Sequence, residues 1–395
     1  MPRFDFLAEQ LQALAAQGRH RALVARQIDG PWMITADGQR LINCGSNDYL
    51  GLASRSALRE RNETPNRGSG ASALICGWSP SHQRLAEAIA RLEQTEAVVL
   101  FPSGYAACCG TVATLAQSDD LILSDQLNHA SLIDGCRLSR AQSRVYRHRD
   151  CDEVEKILAS SRGEFDQVWI VTDGVFGMDG HVAPLVRLCE LAERYQAHVV
   201  VDEAHGTGVL GAQGSGVCEA LGVKDRVPIR IGTLSKAIGA QGGFVAAPQV
   251  VVDFLVNRCR SLIFSTALSP TAVVAAQNAL DVIGSQPQLR SGLRQLSRLL
   301  RRELTIDVSE PEAGVPIVPI IVGDDQWAVE ASARLAAAGI YVPAIRPPTV
   351  PAGSARLRVS LSAVHDQAMV EQLVRQLRAM DLIPPPRCPS RSESA

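Results

Sequence analysis

The sequence predicts an α/β protein built on a mainly parallel sheet covered by helices on both faces, followed by a smaller α+β domain. Three observations carry this. Between about residue 95 and residue 247 the apolar, β-rich runs AVVLF, LILSD, VWIVTD, HVVVD, PIRIGT and GFVAA alternate with helical patterns. Such near-continuous apolar strands, separated by helices, are the mark of a parallel sheet buried on both sides. Beyond about residue 283 the texture changes to VPIVPIIVG, the helical WAVEASARLAAAGI, YVPAIR, ARLRVSLSA and a last helix near 366 to 380. Finally, 395 residues suffice for two domains.

In chain order, residues 1–45 read as an N-terminal helix and arm. FDFLAEQLQALAAQGRHR places Leu7, Leu11 and Leu14 at helical spacing, with Gly18 as the stop. Residues 46–283 form the large domain, 284–383 the small one, and the tail PPPRCPSRSESA at 384–395 has little to bury and is expected to be disordered. A net charge of -2 gives no global field for nucleic acid or membrane, so small molecules are the expected partners. The ten cysteines form no CxxC pair, and no metal is expected. The start MPRFDFLAEQ is acidic where a signal peptide is basic and apolar, and no apolar run approaches the ~20 residues of a membrane span. A reduced, cytoplasmic protein is expected. Cys108 and Cys109 read as packing inside a helix.

Ligands of open α/β sheets gather at the carboxyl ends of the strands. AVVLF leads to Ser103, Gly104 and Tyr105; LILSD to Asn128 and His129; VWIVT to Asp173; HVVV to Asp202 and His205; PIRIG to Thr233, Ser235 and Lys236. Lys236 stands out because 36 of the 39 basic residues are arginine, and lysine, unlike arginine, can serve as an amine nucleophile. Singly, Asp202 reads as a helix cap and His129 as a buried histidine. Together with Lys236 they suit pyridoxal phosphate: a lysine for the aldehyde, a buried carboxylate for the pyridine nitrogen, an imidazole against the ring, and a helix start with Thr233 for the phosphate. VDEAHG also contains DEAH, the acidic box of helicases. That reading needs an upstream phosphate loop, GxxxxGK followed by Ser or Thr, and no lysine precedes Lys156.

The chain resembles the α-oxoamine synthases, fold-type I pyridoxal phosphate enzymes, from about residue 20 to 382. The likeness rests on NCGSNDYLGL (43–52), RGSGASALICG (67–77), FPSGYAA (101–107), NHASLIDG (128–135), VTDGVFGMDG (171–180), VDEAHGTGVLG (201–211), GTLSKAIGAQGG (232–243), FSTALSP (264–270) and IRPPTVPAGSARLRVSLSA (345–363). The last block points to the branch of the family that serves biotin biosynthesis by condensing L-alanine with a pimeloyl thioester, carried by acyl carrier protein or coenzyme A. The resemblance makes Lys236 the Schiff-base lysine, His129 the ring-stacking residue that also faces substrate, Asp202 the pyridinium partner and His205 the donor to the phenolic oxygen. It places Gly104, Tyr105 and Thr233 at cofactor positions, and Ser265 and Thr266 at the phosphate of a neighbouring subunit in a homodimer. Arg358 matches the clamp for the amino acid carboxylate, while Arg21, Asn47 and Thr349 match substrate-contacting positions. Two residues depart from the family pattern: Asp173 replaces the usual Glu and Gly177 a frequent Ser. The segment 55–70 is also shorter than the family norm.

Overall fold

The structure, a computed structural model, describes residues 4–54 and 68–383. Segment 55–67 and the tail 384–395, which carry two of the expectations above, lie outside the described residues. The chain forms two compact units: Asn47–Gly292, and a second that combines the described residues up to Ser46 with those from Leu293 onward. The units part inside the helix Gln288–Glu303, beyond the expected 283/284 boundary. The reason is Arg290, buried and bound to the carbonyls of Ile283 (2.6 Å) and Ala212 (2.7 Å), which ties the first turn of that helix to the preceding unit.

The helix Asp5–Ala16 forms as its spacing predicts, yet none of its residues is buried. Strands β1 (Gln27–Asp29), β2 (Trp32–Ile34) and β3 (Arg40–Asn43) then form an antiparallel meander.

In the unit Asn47–Gly292 the six expected runs become β4 (Ala97–Phe101), β5 (Leu121–Asp125), β7 (Val168–Asp173), β8 (His198–Asp202), β9 (Ile229–Thr233) and β10 (Gly243–Ala247). A seventh strand, β6 (Gln142–Tyr146), lies on the edge, where QSRVY stays largely exposed and so lacks the apolar signature of its neighbours. The order is β4-β10-β9-β8-β7-β5-β6, parallel except for β10, which runs antiparallel to both neighbours. Phe101, Ile122, Leu132, Val171, Val200, Ile231 and Val245 share one core in this unit. Parallel pairing aligns the strand ends: Asp173 and Asp202 are register partners at the carboxyl ends of β7 and β8.

The other unit adds β11 (Ile317–Gly323), β12 (Ile340–Tyr341), β13 (Ala344–Ile345) and β14 (Ala355–Ser360). Strand β12 pairs parallel with β3, so the N-terminal arm shares a sheet with the C-terminal residues instead of standing apart as 1–45. Strands β11, β14 and β13 make an antiparallel sheet. Among the described residues no helix is long and apolar enough to cross a membrane.

Candidate active site

The strand ends of the unit Asn47–Gly292 bring the cofactor residues expected from the sequence to one edge. After β4, Ser103 caps the helix Gly104–Leu115 by accepting from the Ala106 amide at 3.1 Å. Gly104 lies against Thr233: a Cβ there would sit 3.1 Å from the Thr233 Cβ, so glycine allows the helix start to approach β9. Tyr105 donates to the Asp134 carboxylate and meets the His129 ring edge-on at 6.3 Å.

After β5, Asn128 and His129 form a fixed corner. The Asn128 amide donates to the Val171 carbonyl (2.8 Å), and its oxygen accepts the Asp173 amide (3.0 Å). The Asp173 carboxylate in turn accepts the His129 amide at 2.7 Å. The shorter carboxylate that departs from the family pattern thus fastens the His129 backbone. His129 Nδ1 lies 2.7 Å from the Ser131 hydroxyl, which fixes the ring. Burial, more than the nearby Lys236 charge, holds the His129 pKa below its ordinary value, against an opposing pull from Asp202. A neutral imidazole at neutral pH follows.

After β8, Asp202 is 5% exposed; its oxygens accept the Cys108 thiol at 3.1 Å and the Ala204 amide at 2.8 Å. Cys108 is therefore more than helix packing, as the sequence alone suggests, and burial followed by the Asp202 charge pushes its pKa well up. Asp173, beside Asp202, is also raised well above a normal carboxylate, first by burial and then by its neighbour's charge. Burial beside a second carboxylate thus disfavours the charged form of Asp173. His205 is buried, its Nδ1 2.7 Å from the Tyr49 hydroxyl. A Cβ on Gly177 would lie 2.5 Å from His205 Nε2, so the absent side chain at this second departure makes room for the imidazole.

After β9, Thr233 bonds the Ser235 hydroxyl (2.7 Å) and the Gly242 carbonyl (3.0 Å), shaping the loop that carries Lys236. That loop closes through Gly239, whose amide donates to the Lys236 carbonyl at 2.9 Å. With φ at +69° and a virtual Cβ 2.4 Å from the Ala53 amide nitrogen, position 239 admits only glycine without rearrangement. Lys236 is half-buried, and its charge acts on both His129 and Asp173.

Thr266 is exposed and forms an isolated antiparallel bridge with Ser72, next to the half-buried Ser265. Asn47 is half-buried, its Oδ1 3.2 Å from the Tyr49 hydroxyl. The remaining expected substrate residues belong to the other unit. There Arg358 on β14 is buried, with Nη1 donating to the Ser360 hydroxyl at 2.8 Å. Arg21 donates to the Pro347 carbonyl at 3.2 Å, which brings it to the turn that holds the exposed Thr349.

These residues fit pyridoxal phosphate. Asp202 is a buried carboxylate served only by a thiol and an amide in the bonds described, the setting in which a pyridinium N–H is a matched donor. The helix start at Gly104, with its amides and the neighbouring Thr233, has the character of a phosphate site. Sequence reasoning missed Tyr49 and the bonding role of Cys108. The only signal for either was its place, Tyr49 inside the NDYLGL turn and Cys108 one helical turn after Gly104.

Comparison with known proteins agrees with this geometry. The aminotransferase class I and II family matches residues 39–377. The 8-amino-7-oxononanoate synthase of Anaeromyxobacter dehalogenans is 43% identical over 394 residues, covering 98% of each chain. Serine palmitoyltransferase from S. paucimobilis, solved with a bound PLP–myriocin aldimine, superposes with a TM-score of 0.88 at 28% identity over 96% of this chain and 99% of that one. The 8-amino-7-oxononanoate synthase of Francisella tularensis does so with a TM-score of 0.72 at 26% identity, over 86% and 98%. The chain belongs to the pyridoxal-phosphate-dependent aminotransferase class I and II family, within its 8-amino-7-oxononanoate synthase branch.

Proposed function

We propose that this protein condenses L-alanine with a pimeloyl thioester, releasing carbon dioxide and the thiol carrier and forming 8-amino-7-oxononanoate for biotin biosynthesis. The observation that carries the reading is the meeting of Lys236, Asp202, His129 and His205 at one sheet edge, in a chain 43% identical end to end to such a synthase. Pyridoxal phosphate, when bound, supplies an electron sink for the carbanion formed at the amino acid Cα.

The chain's own residues do the rest. Lys236 would hold the cofactor aldehyde, and its Nζ would take the Cα proton and later return one. Asp202 would keep the ring nitrogen protonated, and His205 would donate to the phenolic oxygen. His129, neutral at neutral pH, would offer a flat face to the ring and to the substrate. Gly104, Tyr105 and Thr233 would hold the phosphate, with Thr266 serving the site of a second subunit in a homodimer. The resemblance assigns Arg358, whose guanidinium fork matches a carboxylate, to the alanine carboxylate, and Asn47, Arg21 and Thr349 to further substrate contacts.

The thioester carrier is acyl carrier protein or coenzyme A. Of the arginines that could face an acidic carrier protein, Arg137, Arg147 and Arg298 already pair with Asp134, Asp150 and Glu310, and Arg301 is buried against the Val315 and Ile317 carbonyls. A basic rim would therefore rest on others, such as Arg140 and Arg294. The cytoplasm is the compartment that suits the nine described cysteines, all free.

A second reading, a serine palmitoyltransferase, is favoured by the higher TM-score of 0.88 against 0.72. Identity of 28% against 43% favours the first. Lys236→Ala tests the cofactor chemistry shared by both. It is expected to abolish turnover and the visible absorbance of the loaded protein, and retained turnover would overturn the assignment of Lys236.

A further inference from the structure

Three groups in the unit Asn47–Gly292 form a short polar chain: Asn47, Tyr49 and His205, of which Tyr49 has no role above. Tyr49 is fully buried, and its hydroxyl stands 2.7 Å from His205 Nδ1 and 3.2 Å from Asn47 Oδ1. The hydroxyl has one proton to give. Bonds from a hydroxyl to an oxygen run from about 2.5 to 3.0 Å, and an imidazole N–H donating to oxygen sits most often near 2.9 to 3.0 Å. The 3.2 Å contact lies beyond the first range and is the weaker of the two, while 2.7 Å is at the short end of what an imidazole N–H donor gives and is ordinary for a hydroxyl donor. Both distances therefore put the Tyr49 proton on the bond to Nδ1, with the hydroxyl as donor. A neutral imidazole carries a single N–H, so an accepting Nδ1 leaves the proton on Nε2.

The opposite edge of the ring meets Gly177. A Cβ there would lie 2.5 Å from Nε2, 3.1 Å from Cε1 and 3.2 Å from Cδ2, so any larger residue must displace the imidazole. Tyr49 holds one edge of the ring from behind, and the missing side chain of Gly177 clears the other.

We propose that Tyr49 is a positioning residue that fixes His205 as its Nε2–H tautomer, with Gly177 leaving room for the ring where it lies in this chain. This rests on the pyridoxal phosphate reading above, in which Nε2–H would donate to the phenolic oxygen. Tyr49 touches no reacting atom itself and acts through His205.

The test is nitrogen-15 histidine spectroscopy of the full chain loaded with pyridoxal phosphate, with the His205 signal identified by its loss in His205→Gln. The expected result is a protonated Nε2 and a bare Nδ1. Tyr49→Phe should move this signal toward exchange between the two tautomers and lower kcat about tenfold, with KM for the amino acid changed less than about twofold. Gly177→Ser should lower Tm in the wild-type background. In Tyr49→Phe, where the ring is free to yield, the same change should cost less, a non-additive cycle.

A wild-type His205 protonated on Nδ1 would overturn the proposal, as would an unmoved signal in Tyr49→Phe together with additive Tm losses. Should Tyr49→Phe fail to fold, the wild-type signal alone decides. A chain that takes up no pyridoxal phosphate would overturn the functional reading instead, and the signal of the unloaded chain would still report the tautomer.

Discussion

Asp173 and Asp202 stand side by side at the ends of β7 and β8, both buried, yet they have opposite tasks. Asp173 accepts the His129 amide, and burial disfavours its charged form; Asp202 is the carboxylate proposed to face a cationic ring. Asp173→Asn carries no charge and keeps an oxygen for the His129 amide, so turnover should stay within about threefold of wild type. Asp202→Asn removes the charge and should cost about a hundredfold or more in kcat. Steady-state kinetics of the two variants compares them directly, and equal losses would contradict the division of labour. At this scale the sequence was legible wherever a reactive group ends an apolar run, as Asp202, His205 and Lys236 do. Tyr49 and Cys108 were not, because a buried aromatic in a turn and a cysteine inside a helix look the same whether they pack or hydrogen-bond.

At the level of elements, the turn after β8 is fastened by Glu203. Its buried carboxylate accepts the Val217 amide at 2.8 Å and the Cys218 amide at 2.7 Å, and Gly206 and Gly216 lie so close that a Cβ at either would meet it within 2.5 Å. Burial pushes its pKa up from 4.5 to about 7, although the two amides favour the charged form. A carboxylate raised on folding favours the folded state most fully below its unfolded value. That contribution is lost as pH rises from about 4.5 toward 7. Glu203→Gln offers one acceptor to two amides and should lower stability by about 1–3 kcal/mol at pH 5. The gap to wild type should narrow toward pH 8 in thermal unfolding, and a widening gap would contradict the raised pKa. Strands β4, β5 and β7 to β10 were visible in advance because burial on both sides demands unbroken apolar runs. Strand β6 escaped because an exposed edge accepts polar residues, and β12 because two residues carry no period.

At the scale of the whole molecule, the segment Ala73–Gly77 and the chain around Phe264 are joined by the Ser72–Thr266 bridge and the bond from the Ala267 amide to the Ala71 carbonyl. They expose Ile75 (79%), Phe264 (72%) and Leu74 (51%), an apolar surface suited to burial against a second copy. Ile75→Asp combined with Phe264→Asp should shift a dimer to monomers in sedimentation or light scattering, with activity falling in step because Thr266 is assigned to the neighbour's phosphate. A monomeric wild type would contradict the homodimer. The domain plan was only partly legible, since the pairing of β3 with β12 joins residues far apart in sequence. Substrate choice is the least legible feature: alanine differs from glycine by one methyl group, worth only about 1–3 kcal/mol. The most direct measurement is therefore turnover of the loaded protein with alanine, glycine and serine, each against pimeloyl, acetyl and palmitoyl thioesters, with the ketone product identified by mass. The account predicts 8-amino-7-oxononanoate from alanine and the pimeloyl thioester as the preferred product, one carbon dioxide released per turnover; preference for glycine with acetyl, or serine with palmitoyl, would contradict it.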